Sequence, residues 1–142
     1  MSQPTMTLMC LCGAVRIELA ARPDYLHACN CTLCRKTGAW WGYFDPKLIS
    51  VVGLTASFVR SDKPSPGTAV HFCPACGVTT HFVLTPQAIA LHGNVVGGAN
   101  LRLADPRDLA GVELRFPDGA AWSGEGPFGF VRPAEMLTGD AD

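Results

Sequence analysis

Apolar and polar residues along this chain fall into short alternating runs, and no window of a dozen residues carries clean helical spacing. "AVRIEL" (14–19) alternates apolar and charged side chains and predicts a half-buried strand. The aromatic-rich "AWWGYF" (39–44), "LTASFVR" (54–60) and the β-branched "VTTHFVL" (78–84) predict further strands. "AIALHGNVV" (88–96) reads as a strand with a glycine bulge, and "GVELRFPDGAAW" (111–122) as a hairpin turning at "PDG". "SDKPSPG" (61–67) is a turn-forming loop, and at most a short helical turn is expected after Asp105–Pro106. With 15 Gly and 11 Pro spread along the chain, the expected fold class is all-β with little helix. Residues 1–142 make one domain without repeat or linker, and the tail after about Pro133 is expected to be loosely ordered.

Composition changes this picture little. Hydrophobic residues make up 48% and charged ones 16%, which suits a packed core and excludes a disordered chain. A net charge of -1 with scattered Lys and Arg gives no footprint for nucleic acid or an anionic membrane. The first twenty residues lack a charged leader, and no stretch approaches the roughly 18 apolar residues of a membrane span. A cytoplasmic location is therefore expected. In a reducing compartment an odd count of 7 Cys fits a disulfide framework poorly.

Every cysteine belongs to a short-spaced cluster: "CLC" (Cys10, Cys12), "CNCTLC" (Cys29, Cys31, Cys34) and "CPAC" (Cys73, Cys76). Buried core cysteines would be scattered, and a thioredoxin-type CxxC would open a helix where this sequence predicts strands. Zinc accounts for all three clusters. "FCPACG" has the form of a zinc knuckle, and in an extended "CLC" both side chains leave one face. Joining the two gives a closed four-sulfur site of Cys10, Cys12, Cys73 and Cys76. Cys29, Cys31 and Cys34 then make a second site with an open position, as a catalytic zinc has. A rival partition joins Cys31 and Cys34 to Cys73 and Cys76 and leaves three cysteines idle.

The order CxCG…CxCxxCRK…FCxxCG resembles the glutathione-dependent formaldehyde-activating enzyme family, which also contains centromere protein V. The resemblance runs from about Cys10 to Thr80 and includes all seven cysteines. It implies a β-tent fold of several small coiled antiparallel sheets around a four-cysteine zinc. It also implies the same division, with Cys29, Cys31 and Cys34 catalytic. The implied activity is that of a carbon–sulfur lyase joining glutathione to formaldehyde. The implied partners are a small-molecule thiol and an aldehyde, and the oligomeric state is left open, a homodimer among the options.

Other residues are weighed against blander roles. His27 shares the extended face of Cys29 and suits a fourth ligand or proton shuttle, although an ordinary neighbouring histidine is favoured. His71 is expected to support the filled four-sulfur site from behind, and His81 and His92 to be ordinary strand residues. Arg35 and Lys36 follow the third thiol at once and are candidates for holding the carboxylates of a glutathione-like thiol. A solvated pair is the alternative. Among Trp40, Trp41, Tyr43 and Phe44, some are expected to wall a pocket and the rest to be core. "GNVVGG" (93–98) lacks the helix a phosphate cradle needs. Two functions remain: a zinc-dependent carbon–sulfur lyase, or a non-catalytic zinc module binding another macromolecule.

Overall fold

The structure, a computed structural model, describes residues 3–140. Among the described residues, eleven strands form two sheets, with two short helices. The smaller sheet has the order β1 (Met6–Met9), β2 (Arg16–Leu19), β5 (Ile49–Val52), all antiparallel. Its alternation buries Met6, Leu8, Ile17 and Leu19 on one face, as a half-solvated antiparallel sheet requires.

The larger sheet runs β11 (Phe130–Met136), β10 (Glu113–Pro117), β3 (Tyr25–His27), β4 (Trp41–Phe44), β9 (Gly97–Asn100), β8 (Thr79–Leu84), β7 (Thr68–Phe72), β6 (Ala56–Val59). Two features depart from the expected set of small antiparallel sheets. Eight strands share one sheet, and β3 and β10 pair in parallel. The join between β3 and β4 is narrow, resting on the pair His27↔Trp41. On either side of it lie β11-β10-β3 and the five-stranded run from β4 to β6.

The principal core gathers Leu8, Val15, Ile17, Leu19, Leu26, Leu101, Leu114 and Phe116, together with Cys10 and Cys73. A second, separate cluster is made by Ala39, Trp41, Val70 and Phe82. Gly98 must be glycine because the Phe82 ring lies across it; a Cβ there would sit 1.9 Å from a ring carbon.

Four strand predictions, over 14–19, 39–44, 54–60 and 78–84, coincide with β2, β4, β6 and β8. Others need correction. "AIALHGNVV" is not a strand: α2 spans Pro86–His92, capped by Thr85 and closed at Gly93, so His92 ends a helix. A further short helix, α1 (Thr32–Thr37), lies inside the second cysteine cluster. The hairpin over 111–122 does not turn at "PDG". Its partner β11 begins only at Phe130, and a 3-10 turn at Gly119–Ala121 stands in the connection. β11 continues through Pro133 to Met136, and the Leu137 N–H donates to Val112 O. Residues 141 and 142 lie outside the described residues. No described helix is long and apolar enough to cross a membrane.

Candidate active site

The seven cysteines converge into two groups. The sulfurs of Cys10, Cys12, Cys73 and Cys76 lie within 4.8 Å of one another, and so do those of Cys29, Cys31 and Cys34. The rival partition is thereby overturned.

Each half of the first group is a turn built for sulfur. After β1, the Gly13 N–H donates to Cys10 O, and Gly13 takes a φ of 81° that suits only glycine. After β7, the Gly77 N–H donates to Cys73 O at 2.7 Å with Gly77 at φ 77°. Such turns aim backbone N–H groups at the sulfurs. The Val15 N–H donates to Cys10 Sγ at 3.3 Å. Backbone N–H groups of Val78 and then Cys12 hold Cys76 down at about 6. The sulfurs of Cys10 and Cys12 are 3.8 Å apart, and those of Cys12 and Cys73 are 3.7 Å apart. A tetrahedral ion with metal–sulfur bonds of about 2.3 Å sets its ligands roughly 3.8 Å apart, so this donor set fits one metal ion. The group joins the end of β1 in the small sheet to the β7–β8 turn in the large one.

The second group sits where β3 leaves the sheet join. Cys31 is the N-cap of α1: its sulfur accepts the Cys34 N–H at 3.4 Å, and the Cys31 N–H donates to Cys29 Sγ at 3.4 Å. Gly38 closes the helix at φ 70°. Hydrogen bonding from Cys29 and then Cys34 holds Cys31 down to about 2, and the Arg60 guanidinium adds to it. Cys34 is pushed far above the ordinary thiol range by the same contacts with Cys29 and Cys31, then by burial. Three thiols this close ionise one at a time unless a cation joins them. The donor set therefore also fits a metal ion, with three protein ligands.

His27 is not among the converging donors. It is buried, its Nδ1 lies 3.0 Å from Tyr43 Oη, and burial followed by the charge of Arg115 lowers its pKa to about 4. His71 pairs with Thr55 Oγ1 at 2.9 Å and stacks on His81 with ring centroids 4.4 Å apart.

A cavity of ≈ 450 Å³ opens on the three-cysteine group. Two loops flank it, one from Arg60 to Thr68 and one from Gly119 to Phe128. From β4, Trp41 and Tyr43 line it, whereas Phe44 belongs to the core and Trp40 packs under Arg102 on the other side. The alternation of the strand makes that division. A larger cavity, ≈ 640 Å³, is bounded by Trp40, Phe116 and Arg132 but contains neither cysteine nor histidine, so the chemistry belongs to the smaller one.

Arg35 and Lys36 do not occupy the predicted place. Both are exposed on α1 and neither lines the cavity. Because Cys31 and Cys34 turn one side of this short helix toward the cavity, the two residues after Cys34 project elsewhere. The cations that line it are Arg60 and Lys63. Arg60 is gripped by Asp62 through two contacts of 2.7 and 2.8 Å, and its charge reaches Cys31.

Asn30, between two of the cysteines, donates to Asp118 Oδ1 and accepts the Ala120 N–H, both at 2.9 Å. It ties the 118–129 connection down onto the site. Neither Asn30 nor Arg60 is marked as a site residue by the sequence; the "NCT" at Asn30 matches only a glycosylation sequon, read as accidental. The side chain of Asn30 acts on a segment some ninety residues away, and no local pattern signals that.

The family model described as "Glutathione-dependent formaldehyde-activating enzyme" matches residues 5–98, well over half of the chain. The chain belongs to that family. The matched region holds all seven cysteines and Arg60 but stops before the Gly119–Phe128 loop. A similar fold occurs in the crystal structure of a Rhodobacter sphaeroides protein, a structural genomics target. It is 26% identical, covers 75% of this chain and 97% of its own, and has a TM-score of 0.56. No curated protein matches the sequence.

Proposed function

We propose that this family member is a zinc-dependent carbon–sulfur lyase that joins a small thiol to an aldehyde such as formaldehyde, and splits the adduct in reverse. The observation that carries the reading is a three-sulfur group facing a cavity while a separate four-sulfur group is closed. All-thiolate tetrahedral donor sets suit zinc, and knuckle-type turns support it over an iron–sulfur cluster. Cys10, Cys12, Cys73 and Cys76 would hold a structural zinc; Cys29, Cys31 and Cys34 would hold the second. A zinc ion with three protein ligands lowers the pKa of a thiol in its remaining position, which supplies a nucleophile at neutral pH.

The chain's own residues do the rest. In the joining direction a sulfur lone pair forms the S–C bond, the carbonyl π pair moves to oxygen, and that oxygen takes a proton. The proton of the thiol leaves to solvent. Tyr43 lines the cavity and stays protonated, since burial and then the charge of Cys34 push its pKa well up. With a proton on His27 Nδ1 donated to Tyr43 Oη, the phenol O–H is free to donate to the developing alkoxide. Seven unpaired thiols support a reducing, cytoplasmic site of action.

The test is formation of the hydroxymethyl thioether from formaldehyde, followed by NMR with a panel of small thiols, glutathione among them. Zinc-loaded protein should accelerate the reaction with at least one thiol, Tyr43→Phe should slow it, and Cys31→Ser should abolish the acceleration. If no thiol reacts faster than in buffer, the lyase reading is wrong.

A further inference from the structure

Aromatic rings in successive contact run along the walls of the small cavity. Trp41 meets Phe82 edge-on with centroids 5.0 Å apart, and Phe82 meets Tyr43 at 6.2 Å. Tyr43 meets His27 at 5.1 Å, His27 meets Phe128 at 5.6 Å, and Phe128 meets Trp122 at 4.4 Å. These six rings belong to β3, β4, β8 and the connection before β11, and all six line the cavity. Leu33, Val70, Pro64 and Pro66 add apolar wall beside them, and Ser65, Thr68 and Ser123 add hydroxyls at the loops.

Among the described residues, formal charge on the lining is confined, apart from the sulfurs, to Arg60 and Lys63, with neither Asp nor Glu. Arg60 is committed to Asp62 through two contacts, and its charge also reaches Cys31. Lys63 has no ion-pair partner among the described residues.

A tripeptide thiol such as glutathione brings two carboxylates, one ammonium group and no apolar side chain. Here its ammonium would find no carboxylate, its second carboxylate no free cation, and the rings nothing to cover. Desolvating unpaired charged groups is costly, whereas a ring placed among rings gains edge and face contacts beyond burial. From this complementarity we propose that the thiol partner of this site is an aromatic thiol carrying a single carboxylate, its ring against Trp41, Phe82, Phe128 and Trp122 and its carboxylate at Lys63. This rests on the lyase reading for the position of the sulfur, but not for the ring and the carboxylate.

Calorimetric titration of the zinc-loaded protein separates the two. The probes are 4-(mercaptomethyl)benzoate, benzyl mercaptan, 3-mercaptopropionate, glutathione and the thiol-free 4-(hydroxymethyl)benzoate. The aromatic thiol acid should bind at least tenfold more tightly than glutathione or 3-mercaptopropionate. Trp122→Ala should shrink the advantage over 3-mercaptopropionate, and Lys63→Gln the advantage over benzyl mercaptan, each about tenfold. If glutathione binds as tightly as the aromatic acid, or neither substitution changes its preference, the inference is overturned. If 4-(hydroxymethyl)benzoate binds as tightly as its thiol counterpart, the cavity assignment holds and the thiol reading of the function falls. Absence of binding by every probe overturns both.

Discussion

Gly119 shows how closely the site is built at the scale of one residue. A Cβ there would lie 2.2 Å from Cys29 Sγ and 3.3 Å from Cys31 Cβ, so the backbone of the 3-10 turn rests directly on the cluster. Overpacking of this kind costs about 1–3 kcal/mol, and the sulfur or the turn must give way. Gly119→Ala should therefore weaken zinc retention at the three-cysteine group by tenfold or more, read by competition with a chelator, while the four-cysteine group holds. The sequence showed Gly119 only as part of a turn. Its contact with Cys29 is made by the fold, and no spacing rule predicts it. His81 is a second case, with a pKa lowered to about 4 by burial and then by the charge of His71. The native state thus favours the neutral ring relative to the unfolded chain. That contribution is fully present above about pH 6.5 and is lost as pH falls toward about 4. Urea unfolding should show wild type losing its advantage over His81→Gln across that interval, on the order of 2 kcal/mol. A difference that does not change with pH would mean that His81 titrates alike in both states.

At the scale of elements, the strands were legible and the helices were not. Alternation located β2, β4, β6 and β8 because each has one buried face. The run "AIALH" also alternates large and small residues, and this imitated a strand. Its flanks carried the better signal: Thr85 and Pro86 open a helix, and Gly93 closes one. In α1 the capping side chain is a cysteine, outside the usual capping set, and six residues are too few for a helical period to show. Thr85 does more than cap. Its hydroxyl accepts the Ala88 N–H at 3.2 Å and donates to Pro66 O at 3.4 Å, tying α2 to the loop that carries Lys63. Thr85→Ala should cost about 1 kcal/mol of stability by thermal melting, and Thr85→Ser should restore most of it. If the serine variant melts with the alanine variant, the hydroxyl is not what holds the element.

For the whole molecule, the two cysteine groups divide the work: one joins the sheets and the other faces the cavity. The partition of all seven cysteines was legible because CxC and CxxC spacings are local and each matches a way of presenting sulfurs. The eight-stranded sheet, the parallel β3–β10 pair and the seating of Arg60 were not, because they depend on long-range pairing that single-chain periodicity does not encode. Cys73 is fully buried, lies in the principal core and links the two sheets; Cys31 is half-buried on a surface turn. Cys73→Ser should accordingly lower the melting temperature drastically or prevent folding, since structural zinc sites contribute about 10–16 kcal/mol of apparent binding energy. Cys31→Ser should melt within a few degrees of wild type. Equal, large losses from both would make the second group structural as well.

The most direct test of the central claim, one closed and one open metal centre, is zinc release into a colorimetric chelator with the fold monitored by circular dichroism in the same sample. The account predicts about two zinc ions per chain, one leaving quickly with the fold intact and one leaving slowly as the β-structure is lost. Release of all the metal in a single phase, or loss of the fold with the first ion, would contradict it.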